Sequence, residues 1–86
     1  MDRENKRPEI EYPTKWDYKI IGPDIDEMIK AVESIVNDLV YDLSASNISK
    51  KANYFSLNLT VEVSSETVRD LIFQKLSAHA AIKFVI

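Results

Sequence analysis

The stretch YFSLNLTVEV, Tyr54 to Val63, alternates more cleanly than any other part of the chain. Phe55, Leu57, Leu59, Val61 and Val63 fall on one side of an extended backbone, and Tyr54, Ser56, Asn58, Thr60 and Glu62 on the other. Side chains of a strand point alternately to opposite faces, so this pattern predicts a long central strand with one dry and one wet face. Downstream, Ser64 or Ser65 caps a helix that turns Val68, Leu71, Ile72 and Leu76 inward and ends near His79. Ala81 to Ile86 then reads as a short last strand, with Ile82, Phe84 and Ile86 alternating against Lys83 and Val85. Upstream, Ser49 to Asn53 makes a turn, and Tyr41 to Ser49, poor in helix formers and only mildly alternating, predicts a weaker strand at a sheet edge.

Further upstream the period changes. Ile25, Met28, Ile29, Val32, Ile35, Val36, Leu39 and Val40 recur at intervals of three and four, while Lys30, Glu33 and Asn37 fall opposite, which predicts an amphipathic helix of about four turns. Asp24 with Glu27 three residues on forms a capping box. Gly22-Pro23-Asp24 separates this helix from a half-buried strand over Lys15–Ile21, in which Trp16, Tyr18 and Ile20 face one way and Asp17 and Lys19 the other. The order is βαββαβ. Two helices with one apolar stripe each cover one face of a four-stranded antiparallel sheet, and right-handed crossovers make this an α+β ferredoxin-like sandwich with the other sheet face open. Met1 to Glu11, where charges of both signs crowd around a proline, reads as a flexible charged arm, and residues 12–86 as one ferredoxin-like domain.

Composition removes several functions. Among 86 residues there is one glycine, so a phosphate-cradling loop or dinucleotide fingerprint has no material. Zero cysteines exclude disulfides, thiolate metal pairs and a thiol nucleophile. A formal charge of -3 argues against a dedicated nucleic-acid binder. A chain this size buries only about 60% of its unfolded surface, which leaves little for a deep cleft. The sequence shows neither a membrane span nor a signal peptide, so the expectation is a cytoplasmic protein with no metal and no cofactor.

Candidate sites follow from the predicted faces. Lys19 and Lys83, with hydroxyls and amides of Ser56, Asn58 and Thr60, would offer a polar surface to a small anion or an acidic patch, against the plainer reading of a solvated antiparallel face. Tyr54 is the aromatic assigned to that face. It lacks the companions that base stacking needs, because Trp16, Tyr18 and Phe55 point to the helices. Lys50 and Lys51 lie in the turn before Tyr54, Phe73 lies between the inward and outward stripes of the second helix, and His79 at that helix's end suits the dipole better than base catalysis. Asp24, Asp26 and Glu27 surround the first helix terminus with negative charge that complements its dipole and repels an anion. No carboxylate is isolated in an apolar setting, so catalysis finds no support and the chain is read as a non-enzyme.

Tyr12-Pro13-Thr14, then Tyr18-Lys19-Ile20-Ile21-Gly22, Lys51-Ala52-Asn53-Tyr54-Phe55-Ser56 and Leu71-Ile72-Phe73-Gln74-Lys75-Leu76 before an apolar last strand resemble the YbeD-like family of small uncharacterised bacterial proteins. The resemblance spans roughly Tyr12 to Ile86. It departs from the family at Ala52, where a glycine is usual. It implies a fold similar to ACT regulatory domains, which bind small effectors, commonly between two copies. Gly22, Pro23 and Asp24 are then the effector-loop candidates, although Ile25, Asp26 and Glu27 stand where ACT domains carry a Pro-Gly pair. Lys51, Asn53, Tyr54, Phe73, Lys19 and Lys83 are the interaction candidates. The expected function is regulation of a partner enzyme through protein contacts, with effector binding at a homodimer interface as the alternative and RNA binding a distant third.

Overall fold

The computed structural model describes residues 10–48 and 54–86. Six elements follow in order: β1 (Thr14–Gly22), α1 (Ile25–Val36), β2 (Tyr41–Ile48), β3 (Phe55–Val63), α2 (Glu66–Ala78) and β4 (Phe84–Val85). The strands form one antiparallel sheet in the order β2-β3-β1-β4. β3 is central, as its alternation predicts, and pairs with β1 over nine residues from Thr14↔Val63 to Gly22↔Phe55. β2 is an edge strand, with a register shift between Ala45 and Ile48. The arm reading of residues 1–11 falls largely outside the described residues, as does the turn with Lys50, Lys51, Ala52 and Asn53.

The dry face of β3, Leu57, Leu59, Val61 and Val63, meets Tyr18 and Ile20 of β1, Met28, Ala31, Val32 and Val36 of α1, and Ile72 and Leu76 of α2. Trp16 and Phe55 pack against the same core, on the helix side as expected. Asp24 caps α1 by accepting from the Glu27 amide at 3.2 Å, and Ser65 caps α2 by accepting from the Val68 amide at 3.2 Å.

Three expectations are corrected. α1 ends at Val36, four residues before the apolar spacing stops, and Val40 is 68% exposed. The reason lies in the sheet: the Val40 carbonyl already accepts from Glu62 of β3 at 2.9 Å, so Val40 belongs to the line of β2. In α2, Leu71 is 47% exposed rather than inward. Val68, Ile72 and Leu76 form the stripe on the sheet, and at about 100° per residue Leu71 and Phe73 lie on opposite flanks of it. In the last strand the alternation is inverted. Ile82 is buried, but in a turn where its amide donates to the His79 carbonyl at 3.1 Å, and this turn resets the parity. Val85 therefore stands opposite Ile20 and packs on the core, while Phe84, opposite Ile21, is 54% exposed and Ile86 74%.

Gly22 is required for approach rather than for an unusual backbone angle, since no glycine here has positive φ. A Cβ at Gly22 would lie 2.5 Å from the Ala81 carbonyl oxygen and 2.8 Å from the Met28 sulfur. The end of β1, the start of α1 and the turn before β4 thus meet at a point that tolerates no side chain.

Candidate functional site: the open sheet face

Residues directly opposite one another in an antiparallel pair point to the same side. The register therefore places Asp42 and Ser44 of β2, Ser56, Asn58, Thr60 and Glu62 of β3, Lys15, Asp17, Lys19 and Ile21 of β1, and Phe84 of β4 on the face away from the helices. A shallow hollow of about 550 Å³ on this face is lined by Asp17, Tyr18, Lys19, Ser44, Asn58, Thr60 and Ile86. Within it Thr60 donates to the Asp17 carboxylate at 2.8 Å, which holds an acid where an anionic ligand would have to sit.

The two ends of the face differ. Toward the start of β1 it is charged, with Lys15, Asp17, Asp42 and Glu62. Toward the end of β1 it is apolar and aromatic: Tyr54 meets Phe84 edge to face, ring centroids 6.3 Å apart and planes at 74°, beside Ile21. Such pairs add to area burial, and here half of the Phe84 surface stays open to solvent.

Of the interaction candidates, Tyr54 and Lys19 are on this face. Lys83 does not join Lys19: the residue opposite Lys19 is Ile86, whose amide and carbonyl exchange hydrogen bonds with it at 2.9 and 3.1 Å. Lys83 lies outside the two-residue β4 ladder and outside the hollow, its amide donating to the Ile21 carbonyl at 2.8 Å. The inverted parity of the last strand is the cause. Phe73, 44% exposed, sits on α2, on the other side of the sheet. Lys51 and Asn53 lie outside the described residues. Sequence reasoning missed Phe84 and Ile86 as surface residues, because an apolar strand at the end of a chain reads as core.

The effector-loop candidates are engaged structurally. Gly22 is buried against Ala81 and Met28, and the Asp24 side chain is committed to the α1 cap. His79 stands at the C-cap of α2, where its Nδ1 accepts from the Ala81 amide at 3.1 Å and so ties the helix end to the turn before β4. Among the described residues no group of three or more His, Asp or Glu could hold a metal ion.

A second polar cluster lies on the helix side, and its centre, Arg69, was not singled out in the sequence. The Arg69 guanidinium stacks over Trp16 at 4.4 Å, donates to the Tyr12 hydroxyl at 3.4 Å and pairs with Glu66 and Asp70. Beneath it the Tyr18 hydroxyl donates to the Arg69 carbonyl at 2.7 Å. Burial pushes the Tyr18 phenol up to about 12, partly offset by the Arg69 charge. With Arg69 satisfied by two carboxylates and an indole, this cluster ties β1 to α2.

Residues 7–86 match the family described as "Protein of unknown function (DUF493)". The chain belongs to the DUF493 family. Among the relatives of this DUF493 chain, an uncharacterised Campylobacter jejuni protein, Cj0253, is 41% identical, with 94% of this chain and 91% of the relative covered. A UPF0250 protein of Hahella chejuensis is 32% identical over nearly the whole of both chains, at 99% and 98%. The solution structure of Helicobacter pylori HP0495 superposes with a TM-score of 0.81 at 33% identity, covering 100% of this chain and 94% of that one. The ACT domain of a Chlorobium tepidum GTP pyrophosphokinase superposes with a TM-score of 0.61 at 16% identity, over 84% and 94% of the two chains. The family and the ACT-like, ferredoxin-like fold expected from the sequence are both shown. The DUF493 relatives carry no assigned activity, and no helix of the described residues is long and apolar enough to cross a membrane.

Proposed function

We propose that this DUF493 chain acts without catalysis, as a regulatory or protein-interaction module for a partner enzyme, using the open face of its sheet. In this reading residues 12–86 work as one ferredoxin-like unit in the cytoplasm. The observation that carries it is the pair of half-buried Tyr54 and exposed Phe84 at the apolar end of a face that is otherwise polar. Aromatic groups partly desolvated and rimmed by polar side chains are what interface centres are built from. Affinity capture from native cytosol with the wild type and with Tyr54→Ala/Phe84→Ser tests it. The expected result is one enriched enzyme, lost with the variant, whose activity changes on adding the wild type only. Capture of the same protein by both would end the reading.

Effector binding across a homodimer, at Gly22, Pro23 and Asp24, is the second reading, and the ACT-like fold favours it. A ligand there has to compete with the Asp24 cap and with Asp26 and Glu27 beside it. A metabolite panel that raises the melting temperature supports it, since a ligand of the native state alone stabilises that state; a flat response over amino acids and nucleotides removes it. RNA binding is the weakest reading, because Asp17, Asp42 and Glu62 place negative charge on the face that a phosphate backbone would follow.

A further inference from the structure

β1 is nine residues long and is paired on its β3 side throughout, but the last strand covers it only from Lys19 to Ile21. Thr14 to Tyr18 therefore form an edge. Within this stretch the hydrogen-bonding direction is set by the ladder: Lys19 exchanges bonds with Ile86 on the β4 side, so Lys15 and Asp17, two and four residues earlier, point their amides and carbonyls the same way. Among the described residues no backbone group pairs with them. An unpaired strand edge of this kind is a template for another extended segment.

The side chains along the edge specify the segment. A strand running antiparallel to β1 in the lane that β4 leaves would place one residue opposite Asp17, one opposite Trp16 and one opposite Lys15. Complementary charge calls for a cation, an apolar residue and an acid in that order. Lys15-Trp16-Asp17 meets that specification. A two-fold axis through Trp16 sets Lys15 of each copy against Asp17 of the other, gives both outward amides and carbonyls of each strand a partner, and spans the five uncovered residues, Thr14 to Tyr18. The bend at Tyr12–Pro13 ends the strand before it would meet Ile86.

We propose that the uncovered edge of β1 joins a second copy of the same chain, antiparallel about Trp16, into a continuous eight-stranded sheet. Asp17 lines the hollow on the open face, so Lys15 of the second copy stands at its rim and each hollow is completed by the other chain. The surface is distinct from the Tyr54–Phe84 end and does not depend on the partner enzyme proposed above.

Charge reversal tests this without touching the core. Analytical ultracentrifugation of the full chain, from the micromolar to the millimolar range, should show a monomer–dimer equilibrium. Lys15→Glu or Asp17→Lys alone puts like charges at both symmetric contacts and should weaken dimerisation roughly tenfold or more, whereas the double swap restores opposite pairs and should restore the dimer. Far-UV circular dichroism confirms that each variant folds. Hydrogen exchange gives the second readout: the Lys15 and Asp17 amides should gain protection as concentration rises. A chain that stays monomeric throughout overturns the proposal. So does a dimer indifferent to the single reversals, and so does protection of the two amides that is already complete in the monomer, which would mean that the chain covers its own edge.

Discussion

The two faces of the β1–β3 ladder are built from neighbouring residues of the same strands and obey different rules. Leu57, Leu59, Val61, Tyr18 and Ile20 are closed off by both helices, while Asn58, Thr60, Asp17 and Lys19 alternate with them and meet solvent. On the covered face each side chain has a shape imposed by its neighbours. On the open face nothing among the described residues packs from above, so residue types there are free to serve recognition. Position along the strand says less about a residue's role than which face the position falls on.

The largest effect that could break this contrast is on the covered face. Leu59→Ala should cost about 4 kcal/mol in denaturant unfolding, because the site is fully enclosed and leaves a cavity, whereas Asn58→Ala next to it should change stability by less than about 0.5 kcal/mol. Equal losses would mean that the open face is covered in solution. Gly22→Ala tests the same face by overfilling: with a backbone oxygen 2.5 Å from the new methyl group, a loss of about 3 kcal/mol is expected in the same measurement.

Tyr18 sharpens the contrast through pH. Its phenol titrates at 10.0 in the unfolded chain and at about 12 in the fold, raised by burial. The native state holds its proton where the unfolded state has released it, so the contribution of Tyr18 to stability is constant below pH 10 and falls between pH 10 and 12. The loss comes to roughly 2–3 kcal/mol. Tyr18→Phe should flatten that alkaline limb, while the lost hydrogen bond to the Arg69 carbonyl costs about 1 kcal/mol at neutral pH. Smallest is Phe84→Ser on the open face, expected to move stability by no more than about 0.5 kcal/mol while abolishing partner capture. A loss near that of Leu59→Ala would place Phe84 in the core, where the sequence pattern put it.

How far the sequence reached depended on whether a segment carried one periodicity or two. In β3 and β1 a single alternation ran from end to end, and the structure follows it residue by residue. Where a helical stripe ran on into a strand, at Leu39 and Val40, spacing could not show the hydrogen bond from Glu62 that draws Val40 into the sheet. At the last strand, parity counted from Ile82 failed because Ile82 is buried by a turn and not by the ladder. That one step moved Phe84 and Ile86 to the open face and separated Lys83 from Lys19. Tyr54 was legible because it continues the β3 alternation, whereas Arg69 carried no signal, since its contacts with Trp16 and Tyr12 join residues far apart in the chain.

By itself, then, the sequence determined the order of elements, the central place of β3, the caps at Asp24 and Ser65 and the inward set of β1, all of which follow from local spacing and the burial of apolar surface. Only the tertiary structure decided where α1 gives way to β2, why Gly22 carries no side chain, which face Phe84 and Ile86 occupy and how much of β1 is left as an edge. Those depend on strand register and on close approach between segments distant in sequence, quantities that no periodicity within one segment contains.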